Sequence, residues 1–184
     1  MVLPNRRSIR LKGYDYSSNG VYFITICTQN REHLFGNIIN GKMETNPLGD
    51  LVVSTWESLS NRFPIIIDTF QIMPNHFHGL IIIDYADMVD VNEKHPTLGN
   101  IIAYFKYQST KQINNIVGVG FSDPERLGRE NPAPTVSKYP KIWQRNYYEH
   151  VIRNEGDLDK ISQYIADNPR IWDRDGNNPN FVKK

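Results

Sequence analysis

A single cysteine stands in the 184 residues, so no internal disulfide is available to the chain. Cys27 sits within an apolar, β-branched run, which suits an inert core position better than a nucleophile. No stretch approaches the roughly eighteen consecutive apolar residues of a membrane helix. The opening Met1-Val2-Leu3-Pro4-Asn5-Arg6-Arg7 also lacks the apolar core of a signal peptide. These absences point to a cytoplasmic, reducing setting with no membrane contact. Neither an internal repeat nor an inter-domain linker is visible. The expectation is one domain over residues 1–184, with a basic arm at 1–15 and a flexible loop at about 118–140. A large charge of either sign is missing too. The formal net charge is +1, which by itself argues neither for nor against a nucleic-acid partner.

Charge distribution says more than the total. Arg6, Arg7, Arg10 and Lys12 crowd the N-terminus, whereas Asp84, Asp87, Asp90 and Glu93 follow the most apolar run. A basic arm is what a phosphate backbone attracts, although a solvated tail has the same composition.

Taken in order, Gly20–Cys27 is rich in β-branched and aromatic residues and predicts a strand. Alternation puts Val21, Phe23 and Thr25 on one face and Tyr22, Ile24 and Ile26 on the other. Asn40-Gly41 is a hairpin-turn signal. Leu48, Leu51, Val52, Trp56 and Leu59 repeat at helical spacing, predicting a helix from about Asn46-Pro47 to Asn61 that ends before Pro64. Two strand-forming runs follow, Ile65-Ile66-Ile67 and the histidine run from Gln71 to Ile83, with Asp68-Thr69 between them, and then a helix from about Leu98 to Asn115. Gly118–Pro140 has no periodicity and predicts a long loop. A short helix is expected over Glu149–Arg153. A last helix is expected over Asp157–Asn168, with acidic residues in its first turn and Pro169 ending it. This order favours an α+β fold whose antiparallel sheet is covered on one face.

The chemistry is concentrated in Met73-Pro74-Asn75-His76-Phe77-His78-Gly79. On a strand, His76 and His78 share a face while Phe77 takes the other. Imidazoles about 7 Å apart along the backbone can converge on one metal ion where the strand twists. Two surface histidines at the mouth of a strand are the ordinary alternative. Gly79 leaves room for something close to the backbone. On the last helix Tyr164 and Asn168 lie four residues apart, about 40° around the axis, and so stack on one side. If that helix packs near the histidine strand, the Asn168 oxygen completes a His76–His78–Asn168 site with the Tyr164 hydroxyl one turn away. Two imidazoles and an amide oxygen with open positions suit Mg²⁺ or Mn²⁺ better than a closed zinc site.

Four blocks together carry a family resemblance: Gly20-Val-Tyr-Phe-Ile-Thr-Ile, Met73-Pro-Asn-His-Phe-His-Gly, Trp143-Gln-Arg-Asn-Tyr-Tyr-Glu-His-Val-Ile-Arg and Tyr164-Ile-Ala-Asp-Asn-Pro. Between about Arg7 and Trp172 the chain resembles the REP-associated tyrosine transposases, single-tyrosine members of the HUH endonuclease superfamily. The resemblance implies a ferredoxin-like antiparallel sheet with helices mainly on one face. It also implies His76 and His78 as metal ligands on a central strand, Asn168 as the third ligand and Tyr164 as nucleophile. The implied activity is Mg²⁺- or Mn²⁺-dependent nicking of single-stranded DNA beside a REP-like hairpin, leaving a 5′-phosphotyrosine and a free 3′-OH. Relatives include monomers and homodimers.

Single strands are gripped by basic tracks with aromatic platforms. The candidates are Arg6, Arg7, Arg10, Lys12, Lys106, Lys111, Arg145 and Trp143. Tyr147 and Tyr148 are rival nucleophiles that lack a ligand one helical turn away. Two other functions stay open at this level: a domesticated hairpin-binding protein that does not cut, and a metal hydrolase unrelated to nucleic acid.

Overall fold

The computed structural model describes residues 13–85, 95–117 and 141–181. Arg6, Arg7, Arg10 and Lys12 of the basic arm, and the expected loop at 118–140, lie outside the described residues. Among the described residues, no helix is long and apolar enough to cross a membrane.

Among the described residues, six strands and three α-helices follow in the order β1 (Gly20–Cys27), β2 (Gly36–Ile39), β3 (Lys42–Thr45), α1 (Pro47–Glu57), β4 (Ile65–Met73), β5 (His76–Ile83), α2 (Leu98–Ile116), β6 (Tyr148–Ile152) and α3 (Glu155–Asp167). Four strands form an antiparallel sheet in the order β4-β5-β1-β6. With β2–β3 set aside as a separate hairpin, the main path is β-α-β-β-α-β, the split βαβ arrangement of ferredoxin-like folds. The α+β expectation therefore holds.

Local signals explain most of the elements. Asn40 and Gly41 both take positive φ, 52° and 71°, the pattern that two-residue hairpin turns require. At the start of α1, the Asn46 side chain accepts hydrogen bonds from the Leu48 and Gly49 amides, and Pro47 occupies the first turn. Thr97 and Asn100 form a reciprocal capping box at the start of α2. In α3 the cap is Asn154, which accepts from the Asp157 amide, so the helix begins two residues before the predicted start. Two other boundaries differ from expectation. The predicted helix over Glu149–Arg153 is strand β6, because Tyr22, Phe23 and Ile24 of β1 offer Val151, His150 and Glu149 an open ladder. Asp68 and Thr69 do not end a strand but form an irregularity between Ile67 and Phe70, inside one strand that runs to Met73.

The sheet has two unlike faces. Tyr22, Ile24, Ile26, Phe77 and Ile81, all at 0% exposure, pack under α1 and α2 with Trp56 and Phe105. The Trp56 ring lies 4.6 Å from Phe77 and 5.1 Å from Phe105. Across the other face lies α3, seated on Phe23, Leu80 and Ile152 through Ile165, with Leu158 and Ile161 partly buried beside it. Two of the three helices thus share one face, and the third covers the face that His76 and His78 present.

Candidate metal centre and the tyrosine helix

Strand alternation delivers the histidines as the sequence predicts. Phe77 points into the α1/α2 core. On the α3 side, the Nε2 atoms of His76 and His78 approach to 2.9 Å. His76 is 0% and His78 1% exposed, and burial holds both pKa values down, that of His78 to about 3. Both rings are therefore neutral at ordinary pH, the form that ligates a metal.

Each outer ring nitrogen has a dedicated partner. The Asn75 amide Nδ2 donates to the carbonyls of Asn177 (2.8 Å) and Arg31 (3.3 Å), which orients Asn75 Oδ1 toward His76 Nδ1 at 2.8 Å. An amide oxygen can only accept, so His76 carries its proton on Nδ1 and turns an Nε2 lone pair inward. His78 Nδ1 is 2.8 Å from Thr25 Oγ1, across the β1–β5 ladder. Ligating imidazoles are commonly oriented by just such outer-nitrogen partners. The His78 ring is also stacked on Phe23, and that of His76 on Trp172.

A carboxylate completes a group able to hold a metal ion. The ligand atoms of His76, His78 and Asp175 all lie within 4.8 Å of one another, and all three residues are buried. Asp175 Oδ2 is 3.3 Å from His76 Nε2 and has no hydrogen-bond partner. Sequence reasoning missed Asp175. It follows α3 by eight residues, in a Trp172-Asp-Arg-Asp-Gly-Asn-Asn stretch whose composition signals only a turn. The supporting Thr25 and Asn75 were also missed as site residues, although Asn75 directly precedes the pair.

The tyrosine helix lies where the sequence argument needs it. The Tyr164 ring centroid is 5.3 Å from that of His78 and 6.2 Å from that of Phe23. Tyr164 is 38% exposed, so its side chain is open to solvent. Burial raises its pKa, the Asp175 carboxylate raises it further, and the neighbouring Asn168 amide pulls the other way. Asn168 itself is 0% exposed, and neither its Oδ1 nor its Nδ2 has a hydrogen-bond partner. Buried amides are normally satisfied. A cation beside the imidazoles supplies what the unpartnered Asp175 oxygen lacks, so the His76, His78 and Asp175 group fits a divalent ion.

Other predicted site residues separate. Lys106 is half-buried. Its ammonium donates to the carbonyls of Gln144 (3.0 Å), Arg145 (3.3 Å) and Asn146 (3.2 Å), and burial lowers its pKa to about 8. Trp143 is no open stacking platform: it is 5% exposed, and its indole N–H donates to Ser109 Oγ at 2.9 Å. Lys111 and Arg145 are exposed. Of the rival tyrosines, Tyr147 packs against the α1/α2 core, and Tyr148 is exposed beside Phe23. The space beside Gly79 is taken by Trp56: an added Cβ would meet its Cζ2 at 2.6 Å. That glycine serves packing, not a ligand. Cys27 is half-buried, and burial pushes its thiol pKa up, as expected of an inert residue.

No family model matches the chain. It is 42% identical over 174 residues to an uncharacterized protein of Haemophilus influenzae, spanning 94% of this chain and 93% of that protein. A second protein of the same organism, named "Putative REP-associated tyrosine transposase", is 26% identical over 155 residues, covering 84% of this chain and 73% of its own. Among solved structures, a REP-associated tyrosine transposase bound to a REP hairpin aligns with a TM-score of 0.52 at 19% identity, over 89% of this chain and 73% of that one. The chain is thus similar to REP-associated tyrosine transposases in sequence and in fold. Its fold is the transposase fold of that structure, and the histidine strand and tyrosine helix meet within it.

Proposed function

We propose that this protein is a REP-associated tyrosine transposase, a metal-dependent single-strand DNA endonuclease and strand transferase acting at hairpin-flanked sites through a 5′-phosphotyrosine. The observation that carries the proposal is the 5.3 Å separation of the Tyr164 and His78 ring centroids, His78 being one of the inward-facing imidazole pair. His76, His78 and Asn168 would hold the ion, Mg²⁺ or Mn²⁺. Bound there, the cation would polarise the scissile phosphodiester and offset the charge that builds on it.

The chain's own groups account for the rest. Tyr164 Oη attacks phosphorus, forming the O–P bond as the bond to the 3′ oxygen breaks. The phenolic proton leaves, and the departing 3′ oxygen is protonated to a 3′-OH, so the 3′-OH can later reverse the step on the same or another strand. A tyrosine hydroxyl ionises near pH 10, and burial here raises that further, so the phenol needs nearby positive charge to become a nucleophile. Phe23 and Ile165 hold the tyrosine helix against the sheet. Lys111, Arg145 and the arm residues Arg6, Arg7, Arg10 and Lys12 are the proposed strand contacts, and the setting is cytoplasmic.

The test is incubation with labelled hairpin-bearing single strands, with and without Mn²⁺, read as a covalent shift on a denaturing gel. Wild type should shift only with metal, and Tyr164→Phe should bind the strand yet form no adduct. An adduct on the Phe variant refutes the nucleophile. Strand binding with no adduct under any condition favours the second reading, a hairpin-binding protein that does not cut.

A further inference from the structure

The metal reading leaves one group unused. Asp175 is 6% exposed, and its two oxygens have different surroundings. Oδ1 accepts from the Asn177 amide at 2.7 Å, whereas Oδ2 has no hydrogen-bond partner and lies 3.3 Å from His76 Nε2. An ordinary Asp–His hydrogen bond does not account for this contact. The oriented Asn75 amide keeps the His76 proton on Nδ1, so His76 Nε2 is an acceptor with a single lone pair. That lone pair faces two neighbours, His78 Nε2 at 2.9 Å and Asp175 Oδ2 at 3.3 Å. One proton can bridge one of these gaps and leaves the third atom unsatisfied in a buried site, which is costly. One cation accepting all three donors removes the conflict.

We infer, on the metal-site reading above, that Asp175 is a direct ligand of the ion and that the ion thereby fastens the 172–178 segment to the sheet. The segment is already placed for this role. Arg31 Nη1 donates to the Gly176 carbonyl at 2.9 Å, Asn75 Nδ2 to the Asn177 carbonyl, and Asn178 Nδ2 to the Trp172 carbonyl at 3.0 Å. The Trp172 ring meanwhile stacks on His76 at 5.9 Å. Imidazoles and an amide are neutral donors. The carboxylate makes the ligand set anionic, which favours a hard divalent ion. It also makes the metal-free pocket repel a phosphodiester, so strand entry and metal occupancy are coupled.

The experiment measures Mn²⁺ affinity by the paramagnetic resonance of free Mn²⁺, without DNA, on wild type, Asp175→Asn and His76→Ala. Amide hydrogen exchange over 172–178 is followed on the same proteins with and without Mn²⁺. Asp175→Asn keeps the side-chain shape and can still accept from Asn177. It should weaken Mn²⁺ at least ~10-fold, the scale on which even supporting groups act. Mn²⁺ should slow exchange over 172–178 in wild type and not in Asp175→Asn. Affinity within twofold of wild type, with unchanged protection, overturns the inference while leaving the histidine site standing. Wild-type Mn²⁺ affinity in His76→Ala instead overturns the underlying metal reading.

Discussion

The two faces of one sheet carry opposite kinds of residue. Beneath α1 and α2 the strands present Tyr22, Ile24, Ile26, Phe77 and Ile81 to Trp56 and Phe105, and every one of these side chains is fully buried. Beneath α3 the same strands present His76, His78 and Thr25, with Phe23, Leu80 and Ile152 as the apolar seat. Burying an aromatic side chain is favourable without any partner of special geometry. Burying imidazoles, an amide and a carboxylate is unfavourable unless something completes them. One face thus supports the fold, and the other holds the unsatisfied donors that a cation would complete.

The contrast can be broken from either side. Trp56→Ala should destabilise the protein by about 3–5 kcal/mol, measured by urea unfolding, because it empties the centre of the α1/α2 core. The folded fraction should still bind Mn²⁺ with wild-type affinity; a lost site would mean that the faces are not separable. Gly79→Ala introduces a Cβ 2.6 Å from the Trp56 ring, and overpacking of that kind costs about 1–3 kcal/mol. A neutral result would show that Trp56 moves aside freely. On the opposite face, Thr25→Val should cost Mn²⁺ affinity about 10–100-fold, since Thr25 alone partners His78 Nδ1 among the described hydrogen bonds. Wild-type affinity in that variant would show that the ring needs no orienting partner.

The smallest expected effect is with pH. Both imidazole pKa values are lowered by burial, so protons compete with metal only well below the ordinary value of 6.5. Metal affinity should therefore change less than about twofold between pH 7.5 and 6.0 and fall only at lower pH. A steep loss centred near pH 6.5 would mean that the rings are solvated and the pocket is open.

The two faces also differ in how far the sequence discloses them. Period-two alternation in Val21–Ile26 and around Phe77 is a local signal, and it sorted the buried face and the histidine face correctly. The one-turn spacing of Tyr164 and Asn168 was legible because a helix repeats at a known angle, and the structure brings the Tyr164 ring beside His78. Asp175 was not. Its role depends on the chain doubling back over His76, and turn-rich Asp-Gly-Asn looks the same wherever it lands. The hydrogen bonds of Trp143 and Lys106 were not legible for a related reason. Basic and aromatic residues resemble a nucleic-acid track, yet Ser109 and the carbonyls of residues 144–146 come from distant parts of the chain and claim them. Strand β6 was mistaken for a helix because its five residues are strand-like only against β1.

The central claim is that the histidine face and the tyrosine helix form one reaction centre. The most direct measurement traps the protein on a hairpin-bearing single strand with Mn²⁺, digests both components and locates the nucleotide-bearing peptide by tandem mass spectrometry. The account predicts the nucleotide on Tyr164. Finding it on Tyr147 or Tyr148, or finding the Tyr164 adduct undiminished in His76→Ala, would contradict it.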